Sequence, residues 1–436
     1  MALGMIFQTL YYLVDLYFVA RLGDAALAGV SAAGNVQFLV MALTQVLGVG
    51  TMALIAQAIG RKDFNDASLV FNQSTSLALV CAAVTLACGY GLSNAYLGTV
   101  AADRATQSAG VQYLFWFLPG LALQFALISM GSALRGGGVV KPAMIVQMIT
   151  VALNVILAPV LIAGWGTGRP LGVAGAGLAS SIAIAVGVLL MLRFFKAEAR
   201  VRFDTTQLRV RVPEWARILR IGLPSGGEFA LMFVFMGVVY YVIRDFGAPA
   251  QAGYGVGSRV MQAVFLPAMA VAFATAPLAG QNVGAGHSDR VRETFRSAVL
   301  FGSVIMLIPT LMCQWKPEWL IRVFVTDSDV VAVGAEFLRM ISWNFVASGI
   351  IFTCSGMFQA LGNTVPSLIS SGTRLLTFAI PAVWLSHRPG FALHQLWMLS
   401  VATVTAQAVL SVWMLRAQLD RRLGPAPVLG EAVTVH

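Results

Sequence analysis

Two related stretches decide the fold: residues 14–36 read VDLYFVARLGDAALAGVSAAGNV, and residues 238–260 read VVYYVIRDFGAPAQAGYGVGSRV. A single offset of 224, without a gap, continues to pair identical residues: Gly23 with Gly247, Gly29 with Gly253, Gln57 with Gln281 and Pro142 with Pro366. Glycine matches arise by chance in a glycine-rich chain. Glutamine and proline matches at the same offset indicate a duplicated unit.

The composition places this duplicated unit in a membrane. Hydrophobic residues make up 58% of the 436 residues and charged residues only 11%, whereas soluble proteins average about 25% charged. The net charge of +10 comes from residues in short loops between apolar runs, which is typical of membrane proteins and argues against nucleic acid as a partner. The four cysteines lack the spacing of a zinc site or a disulfide framework, so no structural metal is expected.

Twelve apolar stretches are long enough to cross a bilayer, which takes about 20 residues. They are residues 2–20, 34–58, 70–97, 110–134, 143–163, 171–195, 216–243, 252–280, 295–313, 334–359, 366–386 and 391–415. Placing both termini in the cytoplasm puts 18 of the 28 Lys and Arg residues inside and 7 outside. This bias predicts cytoplasmic termini.

Each repeat contains six spans, an even number, so both copies have the same orientation in the membrane. We therefore expect an all-α membrane protein with two six-helix lobes related by a pseudo-twofold axis along the membrane normal. The predicted parts are an amino-terminal lobe (1–195), a cytoplasmic linker (196–214), a carboxy-terminal lobe (215–418) and a cytoplasmic tail (419–436). Two similar lobes around a cavity are typical of transporters.

The linker reads KAEARVRFDTTQLRVRVPE, and we interpret it as a solvated connector that is also compatible with an anionic lipid surface. The first span is shorter than its counterpart. The residues that lead into span seven, Pro213 to Trp215, have counterparts that would precede residue 1. Missing upstream sequence is one explanation.

Two carboxyl groups lie inside predicted spans: Asp15 in span one and Glu228 in span seven, with Glu336 at the mouth of span ten. An ionised carboxylate at the centre of a membrane helix costs about 2.5–3.5 kcal/mol. Such a group can therefore exchange a proton for a cation, which is the elementary step of an antiporter. A packing hydrogen bond is the structural alternative for Asp15.

Polar residues recur at helical spacing on two predicted spans. Span one carries Gln8, Tyr11, Tyr12 and Asp15, and span five carries Gln147, Thr150 and Asn154. These faces are expected to point into the lobe. Ordinary interhelical hydrogen bonding is favoured for Gln147 and Thr150.

Glu228 follows Pro224 by about one helical turn. It lies only about a dozen residues into span seven, so it reaches either the cavity or only the cytoplasmic mouth. Arg259 and Arg374 lie in spans of the same lobe and are candidate counter-ions. Snorkelling to the interface is the alternative for both arginines.

Seven segments together resemble the multidrug and toxic compound extrusion (MATE) transporters over nearly the whole chain. They are VDLYFVARLG, AQAIGRKD, ALRGGGVVKP, LNVILAPVLIAG, GVAGAGLASS, IGLPSGGE and FQALGNTVP. The resemblance implies an antiporter that exports organic, often cationic or amphipathic, compounds in exchange for protons or sodium by alternating access. It also implies a bacterial inner membrane location, a small-molecule substrate, no cofactor, and a monomer in the lipid bilayer.

The resemblance also carries over a cation site. Asp15 matches the family's acidic residue of span one, Asn154 matches the polar residue of span five, and Ser180 matches a hydroxyl of span six. Together they would hold a proton or a transient Na⁺. Many members carry a second acid where this chain has Ala158, and the matching span-ten position is Ser348, so protons are favoured over sodium. Tyr12, Gln147, Glu228, Arg259 and Arg374 are further candidates for the substrate cavity or for coupling in the second lobe.

A flippase for lipid-linked oligosaccharides has a related fold and is the alternative, because Arg259 and Arg374 would make its cavity more cationic. A membrane enzyme or a receptor is the hypothesis from a different functional class. The four histidines are scattered along the chain, and no cluster of histidine and acidic residues marks a catalytic site. We therefore expect a transporter and not an enzyme.

Overall fold

The computed structural model describes residues 18–166, 168–196 and 200–424, where the regular structure is helical. The α-helices that lie wholly in these ranges are α1 (Asp24–Gly60), α2 (Phe64–Val100), α3 (Arg104–Gly136), α4 (Lys141–Ile162), α5 (Val173–Lys196), α6 (Val212–Ile243), α7 (Ala248–Gly284), α8 (Ser288–Trp315), α9 (Pro317–Arg322), α10 (Ser328–Ile341), α11 (Asn344–Ala360), α12 (Val365–Ser386) and α13 (Leu393–Leu423). Short 3₁₀ helices at Thr205–Leu208 and Arg244–Phe246 flank α6.

Ten of these helices are long and apolar enough to cross a membrane, and α10 with α11 forms one further span bent by 56°. These eleven correspond to predicted spans two to twelve, whereas span one (2–20) lies almost entirely outside the described residues. α1 contains 37 residues and is about 55 Å long, whereas the hydrocarbon core is about 30 Å thick. The long helices therefore extend beyond the bilayer. The predicted all-α membrane class is confirmed.

The helix boundaries repeat with the offset found in the sequence. Adding 224 to both ends of α1 gives both ends of α7, and adding it to both ends of α4 gives both ends of α12. α3 corresponds in the same way to the bent pair, from the start of α10 to the end of α11. Gly23 and Gly247 precede equivalent helices, and both have positive φ angles, of 108° and 84°. The duplication therefore extends to the turns.

One turn differs between the copies. Lys62 has φ of 61°, the one positive value for a non-glycine residue in the described ranges, and its counterpart Gly286 has φ of 74°. The left-handed region costs an L-residue about 1–2 kcal/mol, so the first copy carries strain that the second copy avoids.

We therefore expect Lys62→Gly to raise the free energy of unfolding by about 1 kcal/mol. Gly286→Ala is the matched change in the other copy and should lower it by a similar amount. A Cβ atom there meets no other atom within 4 Å, so the loss would come from the backbone alone. Unfolding in mixed micelles measures both. If both substitutions raised the free energy of unfolding, or both lowered it, this explanation would be contradicted.

The residues group into two compact units, divided between Gly226 and Gly227 within α6. The core of the first unit includes Phe71, Phe117 and Phe125, and that of the second includes Phe337 and Trp397, all almost completely buried. The domain limits expected from the sequence stay a prediction.

The connector between α5 and α6 is hydrogen-bonded to α2, although most of its described residues are exposed. Its interpretation as a solvated segment stays a prediction. The buried Asn72 donates to Arg202 O (3.0 Å) and accepts from Asp204 N (3.1 Å). Gln73, also buried, donates to Arg209 O (2.8 Å) and accepts from Arg211 N (2.9 Å). The side-chain amides of Asn72 and Gln73 thus form hydrogen bonds with four backbone groups of the connector, which water would otherwise satisfy.

Gln73→Leu is expected to release the connector, because it leaves these backbone groups without partners at a cost of about 2 kcal/mol. A cost of that size corresponds to an open population about 30-fold larger. The rate of trypsin cleavage after Arg209 and Arg211 would report it. Thr206→Ala removes a bond to Asp204 within the connector and should change cleavage by no more than about twofold. Equal rates for Gln73→Leu and the wild type would refute the anchoring role.

Candidate functional site

Asn154 on α4 and Ser180 on α5 meet in the interior of the first unit. The Asn154 Nδ2 atom donates to Ser180 Oγ at 3.2 Å, and neither residue has any exposed surface. The structure thus brings together two of the three residues of the expected cation site. The third, Asp15, lies outside the described residues, as does Tyr12.

Glycines of α5 allow this close contact. A Cβ atom on Gly175 would lie 2.4 Å from Leu161 O, and one on Gly177 would lie 2.5 Å from Tyr113 O. Neither position therefore tolerates a side chain without a shift of backbone. The segment GVAGAGLASS packs α5 directly against α3 and α4, and this packing positions Ser180 beside Asn154.

One of the two polar atoms of the Asn154 side-chain amide lacks a hydrogen-bond partner among the described residues. This atom is the buried Oδ1. Reversing the amide would leave the nitrogen unpaired instead, so the deficit does not depend on the assignment. An unpaired buried polar atom costs about 1–3 kcal/mol. A bound cation or a water molecule would remove that cost, so Oδ1 is a candidate position for such a ligand.

The neighbouring residues on α4 add no further polar group to this site. Thr150 Oγ1 donates to Val146 O on its own helix at 2.8 Å, which agrees with its interpretation as a packing residue. Gln147 is partly buried two turns before Asn154, and the fully buried Ala158 lies one turn after it.

Glu228 on α6 forms a second polar cluster, which lies in the second unit. Its Oε2 accepts from Ser367 (2.7 Å) and Ser355 (3.3 Å), and its Oε1 accepts from Ser371 (3.3 Å). Gln407 on α13 donates to Ser371 at 3.2 Å, and its own Oε1 is buried without a partner in the described ranges. We call these five residues the Glu228 cluster.

The Glu228 cluster suits both protonation states of its carboxyl. An ionised carboxylate accepts from the serine hydroxyls, and a protonated one can donate to a serine oxygen instead. Sequence reasoning identified Glu228 but not its partners. The one available signal was the spacing of Ser367 and Ser371 on one face of α12.

Neither candidate counter-ion pairs with Glu228. No ion pair of the described residues includes Arg259 or Arg374. Arg259 is exposed on α7. The Arg374 guanidinium lies over the Phe235 ring, with Cζ 4.4 Å from the ring centroid. Glu336 does not belong to the Glu228 cluster. It lines an open cavity of about 640 Å³ together with Glu318 and Arg339.

The two polar sites occupy different positions of the repeat. Adding 224 to Asn154 and Ser180 gives Phe378 and Val404, which are buried apolar residues. Subtracting it from Ser355 and Ser367 gives Gly131 and Ala143. The two repeats therefore share a scaffold but not the positions of these polar residues.

Comparison with known families finds the same duplication. The family model described as MatE matches twice, over residues 1–160 and 224–385. These two segments together cover more than half of the chain. They include Asp15 and Asn154 in the first match, and Glu228, Arg259 and Arg374 in the second.

Similar proteins include bacterial transporters. A "Probable multidrug resistance protein YpnP" of Bacillus subtilis (strain 168) is 25% identical over 91% of this chain and 86% of its own length. "Multidrug export protein MepA" of Staphylococcus aureus (strain MSSA476) is 25% identical over 96% of this chain and 92% of its own. A crystal structure of the Vibrio cholerae MATE transporter VcmN in the bent form has a TM-score of 0.89 at 22% identity, covering 97% and 95% of the two chains. This last similarity shows the fold.

Proposed function

Because this chain belongs to the MatE family of membrane transporters, we propose that it exports amphipathic organic compounds across the membrane in exchange for protons or, less favoured, sodium ions. As a member of this family it is a transporter and not an enzyme. The names of its relatives, which include a multidrug export protein, support export and favour it over a lipid-linked oligosaccharide flippase. A bacterial inner membrane location with cytoplasmic termini, and a monomeric state, are parts of the same proposal.

The observation that carries this proposal is the fully buried Asn154 side chain, whose Nδ2 donates to Ser180 and whose Oδ1 has no hydrogen-bond partner within the described ranges. We propose that Asp15 completes this site. A carboxylate with neutral oxygen ligands binds either a proton or a hard monovalent cation. When the cation occupies the site the negative charge is neutralised, and when it leaves the charge returns. The change in charge gives the two access states different free energies, as coupling requires.

Protons are the favoured coupling ion because few fixed charges surround the site. Ala158 is fully buried one turn from Asn154, where a carboxylate would strengthen a sodium site. Sodium binding needs several oxygen ligands at once, whereas a proton needs one basic atom and a hydrogen-bonded path.

The Glu228 cluster is a second coupling candidate. Three serine hydroxyls donate to its carboxyl, and no ion pair of the described residues includes it. Burial of a lone negative charge in a bilayer is unfavourable, so a proton or a cationic group of the substrate would bind there with a gain in free energy. We propose that Glu228 exchanges one for the other during the cycle.

The test is transport by the purified full chain in proteoliposomes loaded with an amphipathic fluorescent dye. A proton gradient and a sodium gradient are imposed separately. We expect the proton gradient to accelerate dye movement at least about tenfold, a coupling of about 1.4 kcal/mol, and the sodium gradient to have little effect. Acceleration by sodium alone would reverse the choice of ion. No acceleration by either gradient would refute antiport.

A further inference from the structure

Arg374 places a positive charge deep in the second unit. It lies nine residues after the start of α12 at Val365 and ten residues before Trp384. At 1.5 Å per residue, each distance is about 14–15 Å. Trp384 is exposed and holds Arg388 against its ring at 3.6 Å, as aromatic residues at a membrane interface do. Arg374 is therefore too deep for its side chain to reach either interface.

The Arg374 guanidinium has no hydrogen-bond or ion-pair partner within the described part of the chain, and its Nε atom is buried and unpaired. The guanidinium lies over the ring of Phe235 on α6, with Cζ 4.4 Å from the ring centroid. The residue as a whole is still partly exposed. An arginine stacked on an aromatic ring keeps the edge of its planar fork open for two parallel hydrogen bonds.

Glu228 is the acidic residue nearest to Arg374 along α6 and α12, and its carboxylate already accepts hydrogen bonds from serines. Glu228 bonds to Ser367 and Ser371, at the cytoplasmic side of Arg374 in the predicted orientation. Phe235 lies seven residues beyond Glu228 on α6, or about 10 Å along the axis. The negative charge and the positive charge thus lie on one pair of helices, about two turns apart, without forming an ion pair.

The fold does not require an arginine at this position. The counterpart in the first repeat is Thr150, which bonds to a carbonyl of its own helix. The same helix in the same lobe architecture is thus built without a charge. An uncompensated guanidinium inside a membrane protein is costly, and such residues mark ligand positions.

We infer that Arg374 binds the carboxylate of an amphipathic substrate, with Phe235 supporting the guanidinium from behind. The inference rests on the proposed export function and names the substrate class: organic acids and zwitterions that carry a carboxylate. In a zwitterion, the cationic group would face Glu228. Protonation of Glu228 would then remove the partner of that group, which agrees with exchange of substrate for a proton.

The experiment measures equilibrium binding to the purified full chain in detergent, without any gradient. The probes are a xanthene dye with a free carboxylate and its methyl ester, which share one aromatic body. We expect the wild type to bind the free carboxylate more tightly. Arg374→Gln should weaken binding of the carboxylate dye by about tenfold or more and leave binding of the ester unchanged. Arg374→Lys, which keeps the charge but loses the fork, should fall between the two.

Arg388→Gln is the matched control, since it removes another arginine of the second unit that lies over an aromatic ring, that of Trp384. It should change binding of either dye by less than about threefold. Tighter binding of the ester by the wild type would overturn the inference. The inference would also be overturned if Arg374→Gln and Arg374→Lys each weakened binding of the carboxylate dye and binding of its ester to the same extent. Because no gradient is used, these results are independent of whether transport is coupled to protons.

Discussion

Asp15→Asn is expected to reduce dye export driven by a proton gradient by about 100-fold, while the protein still folds and inserts. Asparagine keeps the size of aspartate and one of its acceptor oxygens, but it cannot take up a proton. The loss corresponds to about 3 kcal/mol, the size of one hydrogen bond to a charged group. Initial rates in proteoliposomes at several pH values measure it.

Asp24→Asn is the control for this result. Asp24 is the first residue of α1 and is exposed, so the same chemical change outside the bundle should leave export unchanged. Full export by Asp15→Asn would remove Asp15 from coupling. The exchange would then have to depend on another carboxyl, for which Glu228 is the candidate.

The second large effect is expected for Glu228→Gln. Glutamine can keep hydrogen bonds to Ser367 and Ser371 but stays neutral, so it resembles the protonated state permanently. We expect gradient-driven export to fall by at least about tenfold, with less dependence of the rate on pH than in the wild type. Rates of export over a range of pH separate this outcome from simple loss of protein.

The serines of α12 provide a matched pair of variants. Ser371→Ala removes a hydroxyl that bonds to Glu228 at 3.3 Å. Ser370→Ala, one residue away, removes a buried hydroxyl that bonds to Ser411 at 2.6 Å instead. If the Glu228 cluster takes part in transport, the first variant should shift the pH dependence of export and the second should not. The same profile in both variants would show that these serines act only in packing.

Much of the fold could be predicted from the sequence because the membrane limits the choices. An apolar run of about 20 residues has to be a helix in a bilayer, since its backbone groups cannot be paired otherwise. The spans and the offset of the repeat follow from this limit. Side-chain contacts do not, because they depend on how helices are rotated against each other. For this reason Glu228 was identified whereas Ser355 and Gln407 were not.

The bend between α10 and α11 also could not be predicted, and residues 334–359 were expected to form one span. Neither proline nor glycine stands at the break, which falls at Ser342 and Trp343. Side chains of α8 take the carbonyl groups there: Gln314 donates to Arg339 O at 2.7 Å, and Thr310 donates to Ser342 O at 3.2 Å. Such bonds compete with the helix and allow it to kink. They join residues far apart in sequence.

The most direct test of coupling is to record proton movement during dye transport, with a pH indicator in weakly buffered proteoliposomes and no imposed ion gradient. Addition of a dye gradient should move protons in the opposite direction through the wild type, and Asp15→Asn should abolish this signal. Dye transport at a normal rate with no opposing movement of protons or sodium ions would contradict exchange at these buried sites.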